Sequence, residues 1–244
     1  MARQRADVLL VERGLAPSRE RARALVMAGK VFSGEKRIDK AGDLVPPDAP
    51  LEVRGDDIPF VSRGGVKLAG ALEALGVDPR GRVVADFGAS TGGFTDCVLQ
   101  RGAVRVYAID VGRGQLHEKL RQDARVVSME RTNARELGEA SLPEKIDLVV
   151  IDASFIGLTK LLPAAIAVLR GAGEIVAMVK PQFEVGPKAL KKGVVRDPAA
   201  REAAIEKVAE DARALGLEVR GRAESVLPGP DGNVEAFLHL VRAA

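Results

Sequence analysis

Within fourteen residues, Val83 to Asp96 (VVADFGASTGGFTD), the chain passes from a strand pattern to a glycine turn and then to a helix pattern. Val83, Val84 and Ala85 form an apolar run without alternation, as expected of a parallel strand buried on both faces. Asp86, Phe87 and Gly88 end that strand. Gly88, Gly92 and Gly93 permit positive backbone angles and leave peptide N–H groups bare at the start of the next helix. A dinucleotide fingerprint requires G-x-G-x-x-G, whereas Ser90 occupies the second glycine position. This spacing favours a nucleoside ligand poor in phosphate. A further strand pattern, Val104 to Ile109, leads to Asp110, which is placed to accept from both ribose hydroxyls of such a ligand. Together these are the features of an S-adenosylmethionine (SAM) site; a structural glycine turn is the alternative.

Around this segment strands and helices alternate. A helix carrying Val66, Leu68, Ala71 and Leu72 is expected to end at Gly76. Strand patterns follow at 125–129, 146–151 and 174–179, and helices at 94–101, 158–170 and 198–215. Two amphipathic strands, 217–223 and 234–241, then succeed each other with only a loop between them. The expected fold is α/β, a doubly wound Rossmann-like sheet with an antiparallel last strand, the layout of SAM-dependent methyltransferases. Ligands of such sheets sit at the carboxyl ends of the strands. Asp152 follows the fourth strand pattern, Lys180 the fifth, and the last strand carries Glu235. Lys67 lies near the start of its helix, where the helix dipole disfavours a cation. Each alone reads as an ordinary polar surface residue, but four alternating charges in one place predict a catalytic cluster.

The front of the chain has a different character. Residues 1–40 hold ten Lys or Arg against five Asp or Glu, net +5, while the whole chain is +3. Such a positive face suits a phosphate backbone. Two short helices are expected, the second capped by Ser18 and carrying Ala22, Leu25 and Val26 on its apolar side, then small strands at Val31-Phe32 and Leu51-Glu52-Val53. The expected organisation is a small α+β domain over 1–55, a linker over 56–63 and the sheet domain over 64–244.

Several function classes are disfavoured. No run of 18 apolar residues supports a membrane span, and charges flank the only apolar run near the N-terminus, so no signal peptide is expected. One cysteine, Cys97, and two histidines, His117 and His239, provide neither a disulfide framework nor a metal site. Cys97 is expected to be packed, and the setting cytoplasmic.

Two resemblances sharpen this picture. RADVLLVERGL followed by SRERARALVMAGKV resembles the S-four-type RNA-binding module of ribosomal proteins, which implies RNA contacts for Arg19, Arg23 and Lys30. The motifs SRGGVKL, DFGASTGGFTD, VVIDASFIGL, VKPQFEVG and GNVEAF resemble the TlyA family of rRNA 2'-O-methyltransferases, which join that module to an FtsJ-like catalytic domain. The likeness implies a catalytic tetrad of Lys67, Asp152, Lys180 and Glu235. It also implies a SAM site formed by Asp86, Phe87, Gly88, Ala89, Ser90, Thr91, Gly92, Gly93, Asp110, Asn133 and Asp152. Arg3, Arg5, Arg19, Arg23, Lys30, Arg63, Lys188, Lys191 and Lys192 are the basic residues expected to meet RNA, the last three in a flexible loop beside the active site. In one place the chain departs from the family: Ile58-Pro59-Phe60 precedes Val61 where relatives carry Arg and Trp, which puts a linker contribution to SAM binding in doubt.

The implied partner is rRNA within ribosomal subunits, without metal or membrane. With nothing beyond Ala244, a large-subunit cytidine is the favoured target, a small-subunit one remaining possible. Lys180 is the expected base, since a ribose hydroxyl must lose its proton and lysine acts as base only when neutral. An amino-methylating enzyme would need Asp/Asn-Pro-Pro-aromatic where Asp152-Ala153-Ser154-Phe155 stands, and a C5-pyrimidine enzyme would need a cysteine nucleophile there. Two other functions remain as alternatives, an RNA-binding assembly factor with a vestigial SAM site and a cytolysin.

Overall fold

A computed structural model describes residues 3–16, 18–27, 29–34, 36–53, 58–186, 189–229 and 232–243. The chain divides into two compact units, Met1–Asp57 and Ile58–Ala244. Of the expected linker, Ile58 to Arg63 belongs to the second unit. The backbone N–H of Val61 donates to Asp96 (2.9 Å), and Gln100 donates to the Pro59 carbonyl (2.9 Å).

In the first unit, helices Ala6–Glu12 and Arg19–Met27 pack on short strands. Val31–Ser33 pairs with both Lys36–Arg37 and Leu51–Val53, and Gln4–Arg5 pairs with Leu44–Val45. Leu9, Leu10, Ala22, Leu25, Val26 and Val31 close a small core. The i, i+3, i+4 spacing of Ala22, Leu25 and Val26 dictates which helical face is buried.

The second unit opens with α1 (Arg63–Leu75), which ends on the left-handed Gly76 (φ +66°). Next come β1 (Val83–Phe87), α2 (Gly93–Gln100), β2 (Arg105–Ile109), β3 (Val126–Met129) and β4 (Ile146–Ile151). They are followed by α3 (Leu162–Val168), β5 (Leu169–Val179), α4 (Pro198–Ala214), β6 (Leu217–Glu224) and β7 (Ala236–Arg242). One seven-stranded sheet runs β6-β7-β5-β4-β1-β2-β3, with β7 antiparallel to both of its neighbours. Sequence order reverses between β1 and β4, so the carboxyl ends of those two strands flank the crevice in which an open sheet binds ligands. Apolar layers cover both faces. Val83, Ala85 and Phe87 face a layer that includes α3 and α4, while Val84 faces α1 and α2 through Leu68, Leu72, Phe94 and Val98.

Three expectations about the elements need correction. The helix expected over 158–170 is a 3-10 turn, Leu158–Lys160, and a helix ending at Val168, because Leu169 already pairs with Ile146. Gly173 makes that close approach possible, since a Cβ there would lie 2.6 Å from the Leu169 side chain. The last strand is not amphipathic: Ala236 to Val241 are all buried, because β7 inserts between β5 and β6 rather than lying at an edge. Finally, Glu235 immediately precedes β7 instead of lying within it.

Cys97 is fully buried, and burial pushes its thiol up to about 12, in keeping with a packing role. Among the described residues no helix is long and apolar enough to cross a membrane, and no group of three or more His, Cys, Asp or Glu could hold a metal ion.

Candidate catalytic and cofactor site

At the end of β1 the chain turns on Gly88 (φ +87°), where a Cβ would lie 2.5 Å from the Asp152 carbonyl oxygen. Only glycine lets the β1 and β4 loops meet this closely. Gly88 and Ala89 both donate their N–H groups to the Ile109 carbonyl (2.9 and 3.1 Å). Ser90 adopts a positive φ of 47° without being glycine, and its N–H donates to Asp110 Oδ2 (2.8 Å). Gly112 donates to Asp110 Oδ1 (2.7 Å), so that carboxylate is held from both sides. Strain stored at such a residue is common where a ligand is gripped.

Asp110, Phe87, Gly88, Ser90, Asn133 and Asp152 border a hollow of about 490 Å³ whose apolar wall includes Ile109, Val111, Ile156 and Leu161. A carboxylate anchored by two backbone N–H groups beside an apolar wall fits the ribose and base of an adenosine. Ala89, Thr91 and Gly93 border a smaller adjoining hollow of about 180 Å³, which also reaches Asp152, Ser154 and Lys180.

Two of the expected cofactor residues lie elsewhere. Asp86 is fully buried beneath the loop, where Thr95 Oγ1 donates to its Oδ2 (2.6 Å) while Oδ1 has no partner. Burial raises its carboxyl to about 7, with the Asp152 charge adding to the effect and Thr95 opposing it. Gly92 (φ +96°) lies over Leu116 and Leu120, and a Cβ there would come 2.2 Å from Leu120. Its role is to let the loop close on that apolar floor.

The four charged residues expected to cluster do converge, as two ion pairs. Lys67 projects from α1 onto Glu235, both being buried. Lys180, at the end of β5, lies 2.5 Å from Asp152 Oδ1 and donates to Ser154 Oγ (2.9 Å). All four border a cleft of about 660 Å³. This cleft shares Asp152 and Ser154 with the adenosine-sized hollow, so the two spaces meet at the Asp152–Lys180 pair.

Phe155 was not identified from sequence as a site residue. It has φ +65°, is 92% exposed, and borders both spaces. Its ring meets Phe183 at 5.4 Å between centroids, tilted by 50°. The signal available in the sequence was its place three residues after the strand-end Asp152. Ser154 was missed in the same way.

The basic residues fall into groups. Arg5, Arg19 and Arg23 converge on one fully buried carboxylate, Asp7, at 2.9, 3.3 and 3.2 Å. Those guanidiniums hold the Asp7 carboxyl well below the usual carboxylate range despite its burial. Arg3 is exposed, and Lys30 lies at the turn after the second helix. Arg63 borders the catalytic cleft and donates to the Pro228 carbonyl (3.1 Å). Lys191 and Lys192 stand exposed at a tight turn, and Lys188 lies outside the described residues.

Known proteins share this plan. Residues 60–242 match the FtsJ-like methyltransferase family and residues 4–50 match the S4 domain. The 16S/23S rRNA (cytidine-2'-O)-methyltransferase TlyA of Mycobacterium tuberculosis is 48% identical over 98% of this chain and 90% of its own length. The 23S rRNA (cytidine-2'-O)-methyltransferase TlyA of Campylobacter jejuni is 35% identical over 75% of this chain and 71% of its own. A solved structure described as a hemolysin from Streptococcus thermophilus aligns with a TM-score of 0.78 at 41% identity, covering 100% of this chain and 90% of that one.

Proposed function

The chain belongs to the FtsJ-like methyltransferase family, here joined to an S4 domain, and we propose that it transfers a methyl group from SAM to the 2'-hydroxyl of a cytidine in ribosomal RNA. One observation carries this reading: the Lys180–Asp152 pair stands where an adenosine-sized hollow meets a cleft bordered by Lys67 and Glu235. The Campylobacter relative is named for 23S rRNA and the Mycobacterium relative for 16S and 23S rRNA, so the large subunit is the target the two share.

Asp110 would hold the ribose of SAM, and the smaller hollow bordered by Ala89, Thr91 and Gly93 would take its amino-acid end. When bound there, SAM supplies an electrophilic methyl group on a sulfonium. The protein has two remaining tasks, alignment and proton removal. Asp152 and Ser154 orient the Lys180 amine. In its neutral form that amine would take the proton from the 2'-hydroxyl, so that the ribose oxygen would receive the methyl group as the methyl–sulfur bond breaks and the sulfur leaves as a neutral thioether. Lys67, neutralised by Glu235, lines the same cleft and donates to the ribose. Phe155 offers an exposed ring at the cleft edge on which a base can stack, an interaction worth about 1–3 kcal/mol per base.

The test is transfer of labelled methyl to unmodified large subunits, small subunits and each protein-free rRNA, followed by mapping of the product. A 2'-O-methylcytidine in large-subunit rRNA is expected. A label on a base atom, or confined to the small subunit, would overturn the assignment. No transfer despite SAM binding would favour the assembly-factor alternative.

A further inference from the structure

Next to the catalytic cleft, residues 191–194 form a tight turn. Lys191 and Val194 pair as a β-bridge, their N–H groups donating to each other's carbonyls (3.0 and 3.2 Å), and both central residues have positive φ, Lys192 at 54° and Gly193 at 80°. In the loop expected to be flexible, this segment is closed by two backbone hydrogen bonds. Gly193 borders the cleft, and Lys191 and Lys192 are exposed with no carboxylate paired to either among the described residues.

What holds this turn is a buried amide. Asn233 is 2% exposed, accepts from the Val195 N–H (3.0 Å) and donates through Nδ2 to the Gly193 carbonyl (3.0 Å). Its own carbonyl accepts from Gly229 (2.8 Å), and it lies two residues before Glu235, the partner of Lys67. A buried amide with both ends bonded to one turn costs several hydrogen bonds to displace, so it fixes that turn to its own backbone. This single side chain ties the two lysines to the segment bearing a tetrad carboxylate.

We propose that Asn233 is a positioning residue for RNA: it locks the Lys191–Val194 turn as a preformed clamp for backbone phosphates beside the cleft, in register with Glu235. The proposal rests on the RNA-methylating function and adds to it how substrate is registered. A lysine turn that is already ordered loses less conformational entropy on engaging phosphates than a mobile one. Among the described residues, neither lysine has an internal carboxylate to release first.

The experiment measures binding of the full chain to unmodified large ribosomal subunits as a function of salt, for wild type, Asn233→Ala, Lys191→Ala/Lys192→Ala, Gly193→Ala and the triple variant of Asn233 and both lysines. SAM affinity is measured on each. Removing both lysines should reduce the slope of log affinity against log salt by about 1.4 to 1.8, the value for two phosphate contacts. Asn233→Ala should lower RNA affinity and the slope in the same direction with SAM affinity unchanged, and should add little once the lysines are gone. Gly193→Ala is a second route if Asn233→Ala fails to fold. A Cβ there meets nothing within 4 Å, so it disturbs only the positive-φ turn, and it should reproduce the reduced slope. The proposal is overturned if the lysine pair leaves the slope unchanged, if Asn233→Ala and the lysine pair weaken binding additively, or if Gly193→Ala binds as wild type. If wild type itself neither binds nor methylates rRNA, the underlying function fails instead.

Discussion

The Lys67 ammonium rests on the Glu235 carboxylate across 168 positions of sequence, with side-chain exposures of only 8% and 2%. Removing one member of such a pair leaves an uncompensated buried charge, at a cost of about 3–5 kcal/mol. Glu235→Ala is therefore expected to destabilise the second unit by about that amount in denaturant unfolding. Replacing both residues together, Lys67→Met with Glu235→Leu, should recover most of the stability but not methyl transfer. A loss below about 1 kcal/mol in the single variant would mean the pair behaves as a solvated surface bridge.

Lys180→Ala is expected to lower methyl transfer by about 100- to 10 000-fold, the range for a positioned general base, while SAM still binds. Lys180→Arg should be as inactive, because a guanidinium does not give up its proton near neutral pH. Single-turnover transfer with saturating SAM and rRNA measures both. A full rate in the arginine variant would remove Lys180 from the proton-transfer role.

Asp86 makes stability depend on pH in a defined direction. Burial raises its folded carboxyl from the ordinary 3.8 to about 7, so the folded state binds more protons than the unfolded state between those values. Stability must then fall as pH rises from about 4 to about 7 and level off above that. Asp86→Asn keeps an acceptor for Thr95 and removes the ionisation. The difference in unfolding free energy between variant and wild type should grow in the variant's favour across that window, by at most about 4 kcal/mol. Denaturant curves at pH 5, 6, 7 and 8 would show it, and a constant difference would mean that Asp86 is ionised throughout.

Asp7 gathers Arg5, Arg19 and Arg23 from two segments of the first unit. Its folded carboxyl is depressed, so the stability it contributes is present above about pH 4 and is lost as pH falls below that. Asp7→Ala should cost about 1–3 kcal/mol and weaken rRNA binding, because three guanidiniums lose their common anchor. Arg19→Ala and Arg23→Ala should weaken rRNA binding with less loss of stability. Unchanged affinity in Asp7→Ala would mean that the arginines need no ordering to meet RNA.

Local signals made most elements legible. The apolar run at Val83 to Ala85, the glycines of the following turn and the spacing of Ala22, Leu25 and Val26 each carry their structure within a few residues. The helix end at Gly76 and the Ser18 cap, whose Oγ accepts from the Arg21 N–H (3.2 Å), depend on neighbouring backbone alone. Strand-end positions were likewise enough to bring Asp152, Lys180 and Glu235 together, since a doubly wound sheet gathers its carboxyl ends on one side, and Lys67 was singled out by its place near a helix start.

Tertiary structure decided which charge meets which. Nothing in the sequence pairs Lys67 with Glu235 and Lys180 with Asp152, because that choice depends on β7 inserting between β5 and β6. The same insertion buries every residue from Ala236 to Val241, overriding the alternation that suggested a half-exposed strand. Asn233 reads locally as a loop residue, and only the fold brings it against the turn at Gly193, 40 positions away. Chemical type and local spacing thus determined which groups this protein has for its chemistry. Which of them are buried, paired or left open depended on contacts between distant segments, whose energies no local pattern encodes.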